Sequence, residues 1–156
     1  MKRWVGYILV ALGFVAYGVF TDADRDDTGA IVDAGTIDAF QIRIGDCFDD
    51  TATGDGEISS LPGVPCADPH DNEAYAVFDI KLASFPGDDE VSEIAYDSCM
   101  DRFDRFVGKD YQSSSLEMFP IYPTAESWAQ DDREVICAVY DMNEGKLKGS
   151  VKGLAM

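Results

Sequence analysis

The chain is poor in the residues that do chemistry. It has a single histidine, His70, and four cysteines among 156 residues. No two cysteines lie within four positions of each other, so the paired-ligand spacing of a zinc site is missing and no metal or other cofactor is expected. No serine stands in the glycine-flanked elbow of a hydrolase. Basic residues are scarce: 12 Lys and Arg face 30 Asp and Glu, for a formal charge of −18. That balance excludes nucleic acid and anionic lipid surfaces as partners, because both attract Lys and Arg. No internal repeat is visible.

What the chain does have is a long uncharged run. Trp4 to Phe20, directly behind Lys2 and Arg3, carries no charge over 17 residues. As a helix it would extend about 25 Å, at the short end of what crosses a hydrocarbon core of about 30 Å. Lys2 and Arg3 lie on its near side, Asp22, Asp24, Asp26 and Asp27 on its far side, which orients the chain with its N-terminus in the cytoplasm. Residues 1–21 are therefore read as a single transmembrane anchor. A cleaved signal peptide is the alternative; it would be cut near Thr21-Asp22-Ala23, and the domain would then be secreted. No cysteine follows the run, which excludes lipoprotein processing. Without Lys2 and Arg3, the remainder has ten Lys and Arg against 30 Asp and Glu, a charge of −20. These acids are expected to solvate the surface of an extracytoplasmic domain.

In an oxidising exterior, Cys47, Cys66, Cys99 and Cys137 read as two disulfides. Three pairings are possible. Cys47–Cys66 with Cys99–Cys137 is preferred: the first closes a local loop, the second pins the main helix to a late strand. Each contributes about 3 kcal/mol, largely by restricting the unfolded chain.

Residues 22–38 are acidic with little to bury and are expected to be a flexible spacer. The domain is placed at 39–153. Phe40, Ile42 and Ile44 alternate with polar residues, a strand pattern. Asp49 to Gly63 reads as a loop; Asp49, Asp50, Asp55 and Glu57 do not have the spacing of a calcium-binding EF-hand. From Glu73 to Leu82 the alternation puts Ala74, Ala76, Phe78, Ile80 and Leu82 on one face. A helix follows, capped by Asp88 or Asp89, with Val91, Ala95, Cys99, Phe103 and Phe106 on one stripe and Ile94 and Met100 at its edges, ending at Gly108. Pro120 makes Leu116–Tyr122 an edge strand. Thr124 caps a short helix through Trp128, Glu134–Tyr140 is a central strand, and Leu147–Val151 is expected to pair back onto it. The fold class is α+β: an antiparallel sheet of about four or five strands with one principal helix packed on it, behind the single N-terminal transmembrane helix.

Several short segments, in order, resemble the septum-formation family of actinobacterial envelope proteins. They are Gly45-Asp46-Cys47-Phe48, Val64-Pro65-Cys66 with Pro69-His70 and Glu73, and Cys99 with Phe103 and Phe106. Gly108 with Tyr111, Trp128 ahead of Asp132-Arg133 and Cys137, and the closing Leu147–Gly153 segment complete the set. The resemblance covers about Gln41 to Gly153. Asp131 departs from it, standing where glycine is expected. The resemblance implies an extracytoplasmic, often membrane-tethered domain associated with division-septum formation, and it supplies no catalytic mechanism.

His70, Glu73, Trp128, Asp132 and Arg133 are the residues singled out as binding or turn-structural. His70 with Glu73, Asp68 or Asp71 could form an acid–base pair, but no free nucleophile accompanies it. Trp128 reads as a core anchor before a sugar-stacking platform. The leading expectation is a non-enzymatic tethered binding or scaffolding domain of the cell envelope with a protein or cell-wall partner. A cell-envelope hydrolase built on His70 and a secreted ligand or inhibitor are the alternatives.

Overall fold

The computed structural model describes residues 21–50 and 58–156. The transmembrane helix expected over Trp4–Phe20 and the acids Asp55 and Glu57 lie outside the described residues. No helix among the described residues is long and apolar enough to cross a membrane.

Among the described residues, ten strands, two α-helices and two 3-10 turns make an α+β fold. In chain order they are β1 (Asp24–Arg25), β2 (Ile31–Asp33), β3 (Gly35–Asp38), a 3-10 turn (Ala39–Gln41), β4 (Cys47–Phe48), β5 (Ser60–Val64), β6 (Pro69–His70) and β7 (Asn72–Asp79). Then come α1 (Asp88–Val107), a second 3-10 turn (Tyr111–Ser113), β8 (Leu116–Ile121), α2 (Ala125–Ala129), β9 (Glu134–Asp141) and β10 (Leu147–Lys148). The main sheet has six strands in the order β3-β5-β4-β7-β9-β8, all antiparallel, rather than four or five. The additional strands come from β3 and β5, in stretches whose acidic and glycine-rich composition suggested spacer and loop.

β9 is the hub. Val135, Cys137 and Val139 face one core with Val91, Ala95, Cys99 and Phe103 of α1. Ile136 and Ala138 face a second core with Ile37, Leu61 and Phe48. β4 and β7 separate β3 and β5 from β9 in the sheet, yet Ile37 and Leu61 share one buried cluster with β9 residues. The sheet therefore curls over its own second face, as twisted antiparallel sheets do when closing toward a barrel. Cys99–Cys137 joins α1 to β9, and Cys47–Cys66 ties β4 to the segment before β6, the pairing expected from the sequence.

Several expectations are corrected. Residues 22–38 are not a free spacer. Asp24–Arg25 and Ile31–Asp33 pair with each other, Gly35–Asp38 is the sheet's first edge strand, and Ile31 and Ile37 are buried. The chain approaches so closely that a Cβ on Gly35 would lie 2.5 Å from the Thr21 carbonyl oxygen. Arg25 forks onto the nearly buried Asp46 carboxylate with two contacts of 2.6 Å, and Asp46 also accepts from the Arg43 N–H at 2.8 Å. This charge-assisted fork explains why an acidic stretch folds onto an acidic domain.

Phe40 starts no strand; it lies in the 3-10 turn, capped by Asp38, and is 63% exposed. Around Tyr75 a bulge interrupts β7 and puts Tyr75 and Ala76 in the same core, so the simple alternation fails there. Leu82 is exposed, beyond the end of the strand, and Met100 faces solvent. The residue preceding α1 is Gly87, with no side-chain cap; Asp88 and Asp89 instead sit in the first turn, where they favour its positive end. β10 pairs with β6, not with β9, because β7 and β8 already occupy both edges of β9. The helix stop at Gly108, the Thr124 cap and the edge position of β8 agree with the sequence reading.

Arg25→Met should lower stability by about 3 kcal/mol, since it leaves Asp46 buried without its partner. Chemical denaturation measures it. A loss below about 0.5 kcal/mol, the scale of an exposed ion pair, would contradict the fork's role.

Candidate functional site

The residues singled out from the sequence fall into two groups. Six positions of β7, about 20 Å of strand, separate their levels in the sheet.

The first group is sealed. His70 and Glu73 are fully buried. His70 Nδ1 donates to the Asp68 carbonyl at 2.8 Å, and its Nε2 has no hydrogen-bond partner among the described residues. The Glu73 carboxylate accepts from Ser150 Oγ at 2.6 Å and from the Val151 N–H at 2.7 Å. Glu73 thus latches the C-terminal segment across β7, while β10 pairs with His70. Burial raises the Glu73 pKa above its usual value, against the two hydrogen bonds that favour the carboxylate. The Cys47 and Cys66 sulfurs and a Glu73 oxygen lie within 4.8 Å of one another, but both sulfurs are joined in the disulfide and offer no thiolate to a metal.

The second group surrounds an open groove. Trp128 is buried on α2, edge-to-face with Phe85. The Arg133 guanidinium lies 3.9 Å above the Trp128 ring and donates to the carbonyls of Trp128 at 2.9 Å and Asp132 at 2.6 Å. Asp132 caps the start of β9 by accepting from the Glu134 N–H at 2.9 Å. Asp131, the departure from the family's glycine, has φ +73°, the left-handed region that favours glycine. The substitution leaves the turn in place at a local conformational cost.

This turn borders a cavity of about 600 Å3 that also meets Phe40, Asp79 and Glu134. It continues into one of about 280 Å3 floored by Ile58, Phe119, Ile121 and Ile136. Together they form the mouth of the curled sheet, where the Ala39–Gln41 turn approaches the end of β8. Asp79 and Glu134 stand directly opposite each other in the β7–β9 register. Burial, then repulsion from Asp132 and Asp79, raises the Glu134 pKa. Arg133 does not relieve this, because its charge is turned toward Trp128 and Asp131.

Sequence reasoning located Trp128, Asp132 and Arg133 but missed Phe40, Asp79 and Glu134. Two acids at the ends of apolar strands look like ordinary solvated termini until the register brings them together.

Residues 44–155 match the family described as Septum formation. The chain belongs to this family. Compared with curated proteins and with solved structures, it matches none. The matched region begins beyond β1–β3 and the Phe40 turn and includes both disulfides, the Glu73 latch and the Trp128–Arg133 turn.

Two outcomes follow from the site geometry. Glu73 has a raised pKa when folded, so its protonated form favours the native state, and that contribution is lost as pH rises through the folded pKa. Glu73→Gln should therefore gain stability relative to the parent between pH 4.5, the carboxyl's reference value, and neutrality. Paired denaturation curves check this; an advantage greater at the acidic end would reverse the sign. Asp131→Gly should stabilise by about 1 kcal/mol, read as a higher thermal midpoint, by relieving the left-handed backbone.

Proposed function

We propose that this protein is a non-enzymatic binding and scaffolding domain of the cell envelope, held at the membrane by residues 1–21 and acting in septum formation. Family membership supports the division role. The uncharged Trp4–Phe20 run behind Lys2-Arg3 and the two disulfides support an extracytoplasmic, tethered domain.

The observation that favours binding over hydrolysis is the division of labour between the two groups of residues. The histidine–glutamate pair is fully buried beneath the C-terminal segment, and the hydrogen bonds it makes, through His70 Nδ1 and the Glu73 carboxylate, all go to protein groups. The accessible groove has acids, apolar side chains, Gln130 and the Arg133 that is stacked on Trp128; its Ser127 hydroxyl belongs to the α2 capping box. The one histidine and its glutamate neighbour do not reach the accessible space, and no free nucleophile accompanies the groove's carboxylates among the described residues.

Cross-linking of the full chain in living cells tests the reading. The expected result is membrane-fraction protein with its N-terminus retained, cross-linked to a division or wall-assembly protein. His70→Ala should cost about 2 kcal/mol of stability yet keep partner capture where it folds. A well-folded His70→Ala protein that loses function in cells would revive the hydrolase, and mature protein beginning near Asp24 in the medium would establish the secreted form.

A further inference from the structure

The mouth of the curled sheet combines three features that are unfavourable in the free protein. Phe40 projects 63% exposed from its turn beside the apolar floor, and Tyr122 is 37% exposed on the same groove. Like charges directly opposite on paired strands repel, yet Asp79 and Glu134 occupy such a pair with Asp132 beside them. The cation nearest in sequence to Glu134, Arg133, is stacked on Trp128, and Lys81 reaches only the Asp79 side at 3.1 Å in a pair open to solvent.

The third feature is the backbone of β8, an edge strand of the sheet. The Met142 N–H donates to the Ser115 carbonyl, so residues 115, 117, 119 and 121 direct their backbone groups toward β9. Leu116, Met118 and Pro120 then turn theirs outward. Pro120 fits because its missing N–H falls on the unpaired side. Beyond the Leu116 N–H, which donates to Ser114 Oγ, this edge can pair with an added strand at Met118. The edge leads directly into the groove at Phe119–Tyr122.

We propose that this groove is a docking site for an extended, basic segment of a partner protein, with alternating Lys or Arg and apolar side chains. Its apolar side chains cover Phe40, Ile121 and Ile136, its cations sit between Asp79, Asp132 and Glu134, and its backbone meets the β8 edge. The choice of occupant rests on charge complementarity: a cation removes the carboxylate repulsion, whereas an acidic segment increases it. A neutral wall glycan would leave it unrelieved and would have to desolvate the carboxylates. The period of two in an extended chain brings apolar and cationic side chains to opposite sides, matching an apolar floor under an acidic rim.

The inference deepens the binding role proposed above by assigning its partner's chemistry. It is tested on the full chain in detergent micelles, with empty micelles as blank. The probes are a fluorescent alternating lysine–valine hexapeptide, its glutamate–valine counterpart and a neutral N-acetylglucosamine oligomer, followed by anisotropy. The lysine peptide should bind, weaken with salt, and lose about tenfold in affinity in each of Phe40→Ala and Glu134→Gln. Both variants change accessible or half-buried side chains, and circular dichroism confirms folding. Asp50→Asn, in the separate acidic cleft near Tyr140, should leave binding unchanged. Equal binding of the glutamate peptide, preference for the oligomer, no binding, or indifference to both groove variants would overturn the proposal. Cellular cross-linking to a division protein that persists in Phe40→Ala and Glu134→Gln would overturn the groove while leaving the binding role standing.

Discussion

The burial of β9 on both faces is the constraint on which the architecture depends. A strand reading Val135-Ile136-Cys137-Ala138-Val139 has no polar side to offer water, so each face must be covered. α1 covers one face and is fixed there by Cys99–Cys137. Among the described residues no second long helix covers the other. The sheet itself supplies that cover, by curling β3 and β5 back so that Ile37 and Leu61 join Ile136 and Ala138 in one core. The groove lies where this cover ends, and its acidic rim is the point at which β7 and β9 leave the double-sided core.

The electrostatics follow the same division. Inside, each buried acid has specific partners: Asp46 has Arg25 and the Arg43 N–H, and Glu73 has Ser150 and Val151. These carboxylates organise chain segments far apart in sequence, closing the N-terminal hairpin onto the β4 turn and the C-terminal segment onto β7. Lys146 similarly bridges Asp49 and Asp71, each at 2.8 Å, and helps pull the Asp71 pKa down despite the opposing effect of burial. At the groove the pattern changes, and Asp79, Asp132 and Glu134 are brought together without a shared cation. A chain with so few basic residues deploys them selectively: at this cluster Lys81 pairs only with Asp79, and Arg133 is held over Trp128.

Much of the fold was legible because it rests on local rules. The α1 stripe, the Gly108 stop, the Thr124 cap and the two-sided apolarity of β9 each arise from residues within one or two turns or strands. The errors lie where tertiary partners overrode local appearance. Asp24–Asp38 looks unable to bury anything, yet Arg25 and Ile31 find partners only in the folded domain. The alternation through Tyr75 failed because a bulge adds a residue, which composition does not signal. Of the candidate residues, Trp128, Asp132 and Arg133 do lie together at the groove, while His70 and Glu73 are structural neighbours at another level of the sheet.

By itself, the sequence determined the fold class, the disulfide partners, the principal helix, the two-sided strand and the family, because hydrophobic period, capping chemistry and cysteine placement act over short distances. Only the tertiary structure decided that the acidic N-terminal stretch belongs to the domain, that the histidine is sealed, and that Phe40 meets Asp79 and Glu134 across a groove. Those outcomes depend on strand register and sheet curvature. Both are set by packing between segments remote in the chain, and no single segment encodes them.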